Sequence, residues 1–137
     1  ALGVGRPNQL GCIQDRRQFF TNSGSFDAME KILLDSLKSH RVDAHIYLFM
    51  PDHVHLLLEG AHILECVKNF KQKSGYWLGQ NTSVRWQKDF FDHILRKDED
   101  IMKQVYYILN NPVRVGLVNS WREYPYKGST KYDLDKL

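Results

Sequence analysis

The chain has 137 residues, of which 42% are hydrophobic, 26% charged and 12% aromatic. That composition suits a single domain over residues 1–137 with a real core, and excludes a disordered or fibrous chain. No apolar run approaches the roughly 18 residues of a membrane span, and Ala1 to Asn8 has no apolar segment of a secretory signal, so no membrane contact and a cytoplasmic location are expected. Nineteen Lys and Arg against sixteen Asp and Glu give a net charge of +3, a mild basicity that by itself points only weakly to nucleic acid. Two cysteines, Cys12 and Cys66, exclude a disulfide framework and a four-cysteine zinc site.

The first 25 residues are polar and Gly-rich, with a weak strand at Gly11 to Gln14. From Phe26 to about His40, Met29, Ile32, Leu33 and Leu37 recur at helical spacing, and Ser25 is the expected N-cap. Val42 to Met50 is β-rich, Pro51-Asp52 is turn chemistry, and His53 to Glu59 reads as a second strand, so an antiparallel hairpin is expected. Ile63 to about Gln80 is an amphipathic helix, and Asn81 to Arg85 a loop. Phe90 to Leu95 reads as a further strand, and Asp98 to Asn110 as a helix ended by Asn111-Pro112. The tail from Trp121 to Lys127 has no clear period and reads as a packing segment. This order predicts an α+β fold, a ferredoxin-like antiparallel sheet covered by helices.

Three groups of residues could carry chemistry. In His53-Val54-His55 the two imidazoles lie on one face of a strand, roughly 6.6 Å apart along the chain. Val54, Leu56 and Leu58 occupy the other face and define the core side, so the histidines are displayed away from it. Such a pair suits a divalent metal or a phosphate; two packed histidines with no shared ligand give the same pattern. In the last helix Ile101, Met102, Val105, Ile108 and Leu109 share an arc with Tyr106 at its edge, while Tyr107 lies on the polar side, one turn from Asn111. Tyr106 therefore reads as packing and Tyr107 as function. Lys68, Lys71 and Lys73 are followed by Tyr76, Trp77, Arg85, Trp86 and Lys88. Cations interleaved with aromatics suit single-stranded nucleic acid, where charges follow phosphates and rings stack on bases. A solvated helix face backed by core aromatics looks the same in sequence.

Three segments in order, MPDHVHLLLEG (Met50 to Gly60), WQKDFFDHILR (Trp86 to Arg96) and YILNNPVRVGLV (Tyr107 to Val118), resemble the single-tyrosine HUH transposases. The last resembles especially the REP-associated branch, and the similarity extends from about Phe26 to Lys127. The resemblance implies the histidine pair on a central strand and the nucleophile on a C-terminal helix. It implies an enzyme that cleaves and rejoins single-stranded DNA near hairpins through a 5′-phosphotyrosine. It assigns His53, His55 and Asn111 to a Mg²⁺ or Mn²⁺ ion and Tyr107 to the nucleophile. Candidate DNA contacts are Lys68, Lys71, Lys73, Trp86 and Arg96. The family's first strand is well formed and hydrophobic, whereas Gly5 to Phe20 here is polar and irregular. Monomer and homodimer are both known among such proteins. Two other readings are a non-catalytic hairpin-binding module and a histidine-triad-like nucleotide hydrolase; Leu57 stands where the triad's third histidine would be.

Overall fold

A computed structural model describes residues 9–13, 18–87 and 100–137, with backbone only at 9–12. Strand β1 (Gln9–Cys12) leads to helix α1 (Ser23–Ser39), strands β2 (Asp43–Met50) and β3 (His53–Glu59), and helix α2 (Ile63–Asn81). Helix α3 (Ile101–Leu109), the short helix α4 (Asn111–Arg114) and a two-residue strand β4 (Lys127–Gly128) follow. The sheet order is β1-β3-β2-β4, and every pairing is antiparallel. β3 therefore lies inside the sheet, bonded on both edges. An isolated antiparallel bridge between Ile13 and Trp86 brings the chain after α2 alongside the end of β1. This is the α+β architecture expected. The expected strand Phe90 to Leu95 lies outside the described residues.

The weak first strand is real but starts earlier than expected. Its register against β3 shifts between Leu10 and Cys12, and a shifted ladder breaks the alternation by which strands are read. Helix α1 also begins earlier. Asn22, in extended backbone, is its N-cap and accepts a hydrogen bond from the Ser25 amide at 3.0 Å. Ser25, expected as the cap, sits inside the first turn, and its hydroxyl donates to the Asn22 carbonyl at 3.1 Å.

Helices α1 and α2 cover one face of the sheet. Met29, Leu33, Leu37, Phe70 and Leu78 pack there on Tyr47, Phe49, Val54, Leu56 and Leu58. Phe49 is the hub: its ring meets Phe20 at 5.1 Å, Phe26 at 5.4 Å and Phe70 at 6.4 Å. Phe49→Ala should lower unfolding free energy by about 3–5 kcal/mol in urea melts, since a fully buried aromatic leaves a cavity its neighbours cannot fill. Cys66 is buried in the same layer, and burial pushes its thiol up from 9.0 to about 11. Because the folded value is the higher one, this group's contribution to stability is complete below the unfolded pKa and is lost as pH rises through 9 toward 11. A thiolate-selective reagent should accordingly label native Cys66 far more slowly at pH 8 than it labels the urea-unfolded chain.

The second face is covered too. Ile46, Leu48, Met50 and Leu57 pack beneath Val105, Ile108, Leu109 and Tyr124. The C-terminal tail is the packing segment expected, and it closes this layer. Tyr124 is buried and donates to the Phe49 carbonyl at 2.6 Å. Gly128 lies against the Tyr47 ring, where any Cβ would collide with it. His45, at the register shift between Ala44 and Ile46, is held between the Tyr132 hydroxyl at 2.6 Å and Glu59 at 2.7 Å, tying the tail to the sheet.

Candidate active site

The histidine pair lies on β3 beneath this second layer. Alternation puts His53 and His55 on the face of Leu57, as the sequence predicts, but that face is not open: His53 is 9% exposed and His55 6%. The imidazoles do lie away from the core of Val54, Leu56 and Leu58, as expected, but α3 and the tail form a second core on their own face and bury Leu57 beside them. Their Nε2 atoms are 3.0 Å apart and the rings are steeply inclined, at 74°. Two ring nitrogens this close share one small volume.

Asp52 orders the pair from behind. Its Oδ1 lies 2.6 Å from His53 Nδ1. A carboxylate accepts only, so it fixes the proton on Nδ1 and leaves the Nε2 lone pair facing His55. In sequence Asp52 reads only as a turn residue. The β2–β3 turn is two residues long, and that brings its side chain back onto the first residue of β3. A carboxylate directly preceding a candidate ligand histidine was the available signal.

The third group arrives from the other end of the chain. Asn111 Nδ2 is 2.5 Å from His55 Nε2. The break in the helix sets this position. Asn110 caps α3, and Asn111 then opens α4 with Pro112 near its first turn. Asn111-Pro112 therefore does not simply end the helix, as expected. Proline needs no amide partner at a helix start, so a fresh turn begins there. Backbone bonds from Arg114 N to Asn110 O at 3.0 Å and Val115 N to Asn111 O at 3.2 Å continue the helical path.

Tyr107 lies on α3 four residues before Asn111 and is 51% exposed. Val105, Ile108 and Leu109 on the same helix are buried. Tyr106 is 36% exposed and sets its ring edge against Trp121 at 6.5 Å. The Arg114 guanidinium lies 3.9 Å from the centre of the Tyr107 ring.

The convergent set fits a cation. The tautomer held by Asp52 presents a lone pair, His55 supplies a second nitrogen, and rotation of the Asn111 amide would present its oxygen. Among the described residues no cluster of three or more His, Cys, Asp or Glu could hold a metal.

The candidate DNA contacts separate. Lys68, Lys71 and Lys73 lie on α2, on the opposite side of the sheet from the histidines, and Lys68 and Lys73 are exposed. Trp86, expected to stack a base, is a core residue. It packs between Phe20 at 5.9 Å and Phe70 at 6.2 Å, and its Nε1 donates to Ser74 at 2.9 Å. Neighbouring cations made it look like a platform, while burial and a satisfied indole N–H keep it inside. Arg85 donates to the Leu78, Thr82 and Val84 carbonyls and so caps the end of α2. Arg96 lies outside the described residues.

The fold is that of a tyrosine transposase. It resembles a solved REP-associated tyrosine transposase bound to a REP hairpin, with a TM-score of 0.71 and 18% identity, over 93% of this chain and 82% of that one. Residues 10–111 match the IS200-like transposases, and the chain belongs to that family. It is also 29% identical to a REP-associated tyrosine transposase of Haemophilus influenzae, over 56% of this chain and 53% of that protein. The chain thus spans about half the length of that curated relative. Among the described residues no helix is long and apolar enough to cross a membrane.

Proposed function

We propose that residues 1–137 form one HUH transposase domain that cleaves and rejoins single-stranded DNA beside a hairpin. The observation that carries this reading is the convergence of His53, His55 and Asn111 at the end of the helix bearing Tyr107. Family membership supports the same class of chemistry.

Tyr107 is the nucleophile. Its oxygen attacks the scissile phosphorus, the P–O3′ bond breaks, and the departing oxygen takes up a proton as a free 3′-OH. The product is a 5′-phosphotyrosine that keeps a phosphodiester, so a second 3′-OH can reverse the step and join strands. His53, His55 and Asn111 would hold a Mg²⁺ or Mn²⁺ ion, which when bound would polarise the phosphate and offset the charge that builds on its oxygens. Asp52 holds the His53 ring and its tautomer. Asn111, one turn after Tyr107, keeps the tyrosine helix in step with β3.

Lys68, Lys71 and Lys73 are assigned to the substrate away from the scissile bond, because they lie across the sheet from the histidines. A hairpin stem carries the phosphates such a row would follow. Arg96 keeps its assignment as a DNA contact on the resemblance alone.

The test is a denaturing gel of the protein with end-labelled hairpin DNA, with and without Mn²⁺. A metal-dependent band that protease removes supports the reading. A shifted hairpin on a native gel with no covalent band under any metal would leave a binding module instead.

A further inference from the structure

The α3–α4 junction carries one cation that the reaction above does not use. Arg114 lies on α4 with an exposed side chain. Side chains on a helix lean toward its N-terminus, so Arg114 reaches back over the turn that contains Tyr107. It meets that tyrosine twice. Its guanidinium carbon lies 3.9 Å from the ring centre, and its Nη2 donates to the Tyr107 carbonyl at 2.8 Å.

Tyr107 needs such a partner. It is 51% exposed and belongs to neither core cluster. An exposed aromatic ring has rotamer freedom that must be given up before a directed attack. The carbonyl bond fixes the end of α3, and the stacked guanidinium fixes the ring above it. A planar guanidinium can stack and donate at once, which an ammonium cannot.

We propose that Arg114 is a positioning residue that holds the Tyr107 ring and its backbone in the orientation from which the tyrosine attacks. This rests on Tyr107 being the nucleophile, and the experiment separates the two claims. The protein is made with 3-fluorotyrosine, and the Tyr107 resonance among its seven tyrosines is assigned with Tyr107→Phe. ¹⁹F spectra, hairpin affinity and single-turnover adduct rates are then compared for wild type, Arg114→Ala and Arg114→Lys.

Arg114→Ala should move the Tyr107 resonance and slow adduct formation at saturating hairpin by about tenfold, as loss of one stacked and hydrogen-bonded cation implies. Hairpin affinity should stay within about threefold, and Arg114→Lys should restore less than half of the lost rate. An unmoved Tyr107 resonance overturns the proposal. So does a loss that falls wholly on affinity, which would make Arg114 a phosphate contact. If Tyr107→Phe still forms adduct, the nucleophile assignment falls and the positioning role with it, even where the resonance moves.

Discussion

Tyr107→Phe should bring covalent adduct formation down by at least about 10³-fold while hairpin binding stays within about twofold. The change removes one oxygen from a ring that is half exposed and outside both cores. The fold therefore has little to lose, and thermal melts of the two proteins should coincide within a degree or two. Tyr106→Phe is the paired control. That ring packs on Trp121 through its edge, a contact phenylalanine keeps. Adduct formation should survive in Tyr106→Phe. A dead Tyr106→Phe beside an active Tyr107→Phe would reverse the assignment.

His55→Ala should remove metal-supported cleavage almost completely, with Mn²⁺ affinity falling by more than about 100-fold. His55 is the point where the site joins, since its Nε2 faces both His53 and Asn111. Removing it deletes the bond between β3 and α4 as well as a proposed ligand. Asp52→Asn should cost less, about 10–100-fold in Mn²⁺ affinity, because it only unfixes the His53 tautomer. Electron paramagnetic resonance of Mn²⁺ reads both without requiring activity. Equal Mn²⁺ binding in wild type and His55→Ala would remove the histidine pair from the metal site.

Much of the frame was legible in the sequence because it is periodic. The β2–β3 hairpin announces itself by a β-rich run, a proline turn and a clean alternation, and α1 and α2 by apolar residues at helical spacing. Helix geometry also puts both tyrosines off the buried arc of Val105, Ile108 and Leu109, with Tyr106 the less exposed of the two.

What remained hidden depends on contacts between distant segments. Alternation along β3 showed that His53 and His55 share a face, and it could not show that this face is covered. The cover includes Trp121 to Tyr126, a stretch held by a tight turn and individual hydrogen bonds with no period to read. Trp86 has cationic neighbours whether it faces water or Phe70, and its packing on Phe20 and Phe70 with its bond to Ser74 decides. Asn22 and Ser25 both have capping side chains, and the backbone chose the earlier one. Arg114 stands seven residues from Tyr107, and its contact became visible only once the path through Asn110 and Pro112 was known.

The most direct measurement is the site of attachment. The adduct formed with hairpin DNA in Mn²⁺ would be trimmed by nuclease, digested with trypsin and sequenced by mass spectrometry. The tryptic peptide Gln104 to Arg114 holds both Tyr106 and Tyr107, so fragmentation must place the nucleotide on one of them. A 5′-phosphonucleotide on Tyr107 is the predicted result. Attachment at Tyr106 or in any other peptide, or cleavage that leaves no nucleotide on the protein, would contradict a Tyr107 nucleophile.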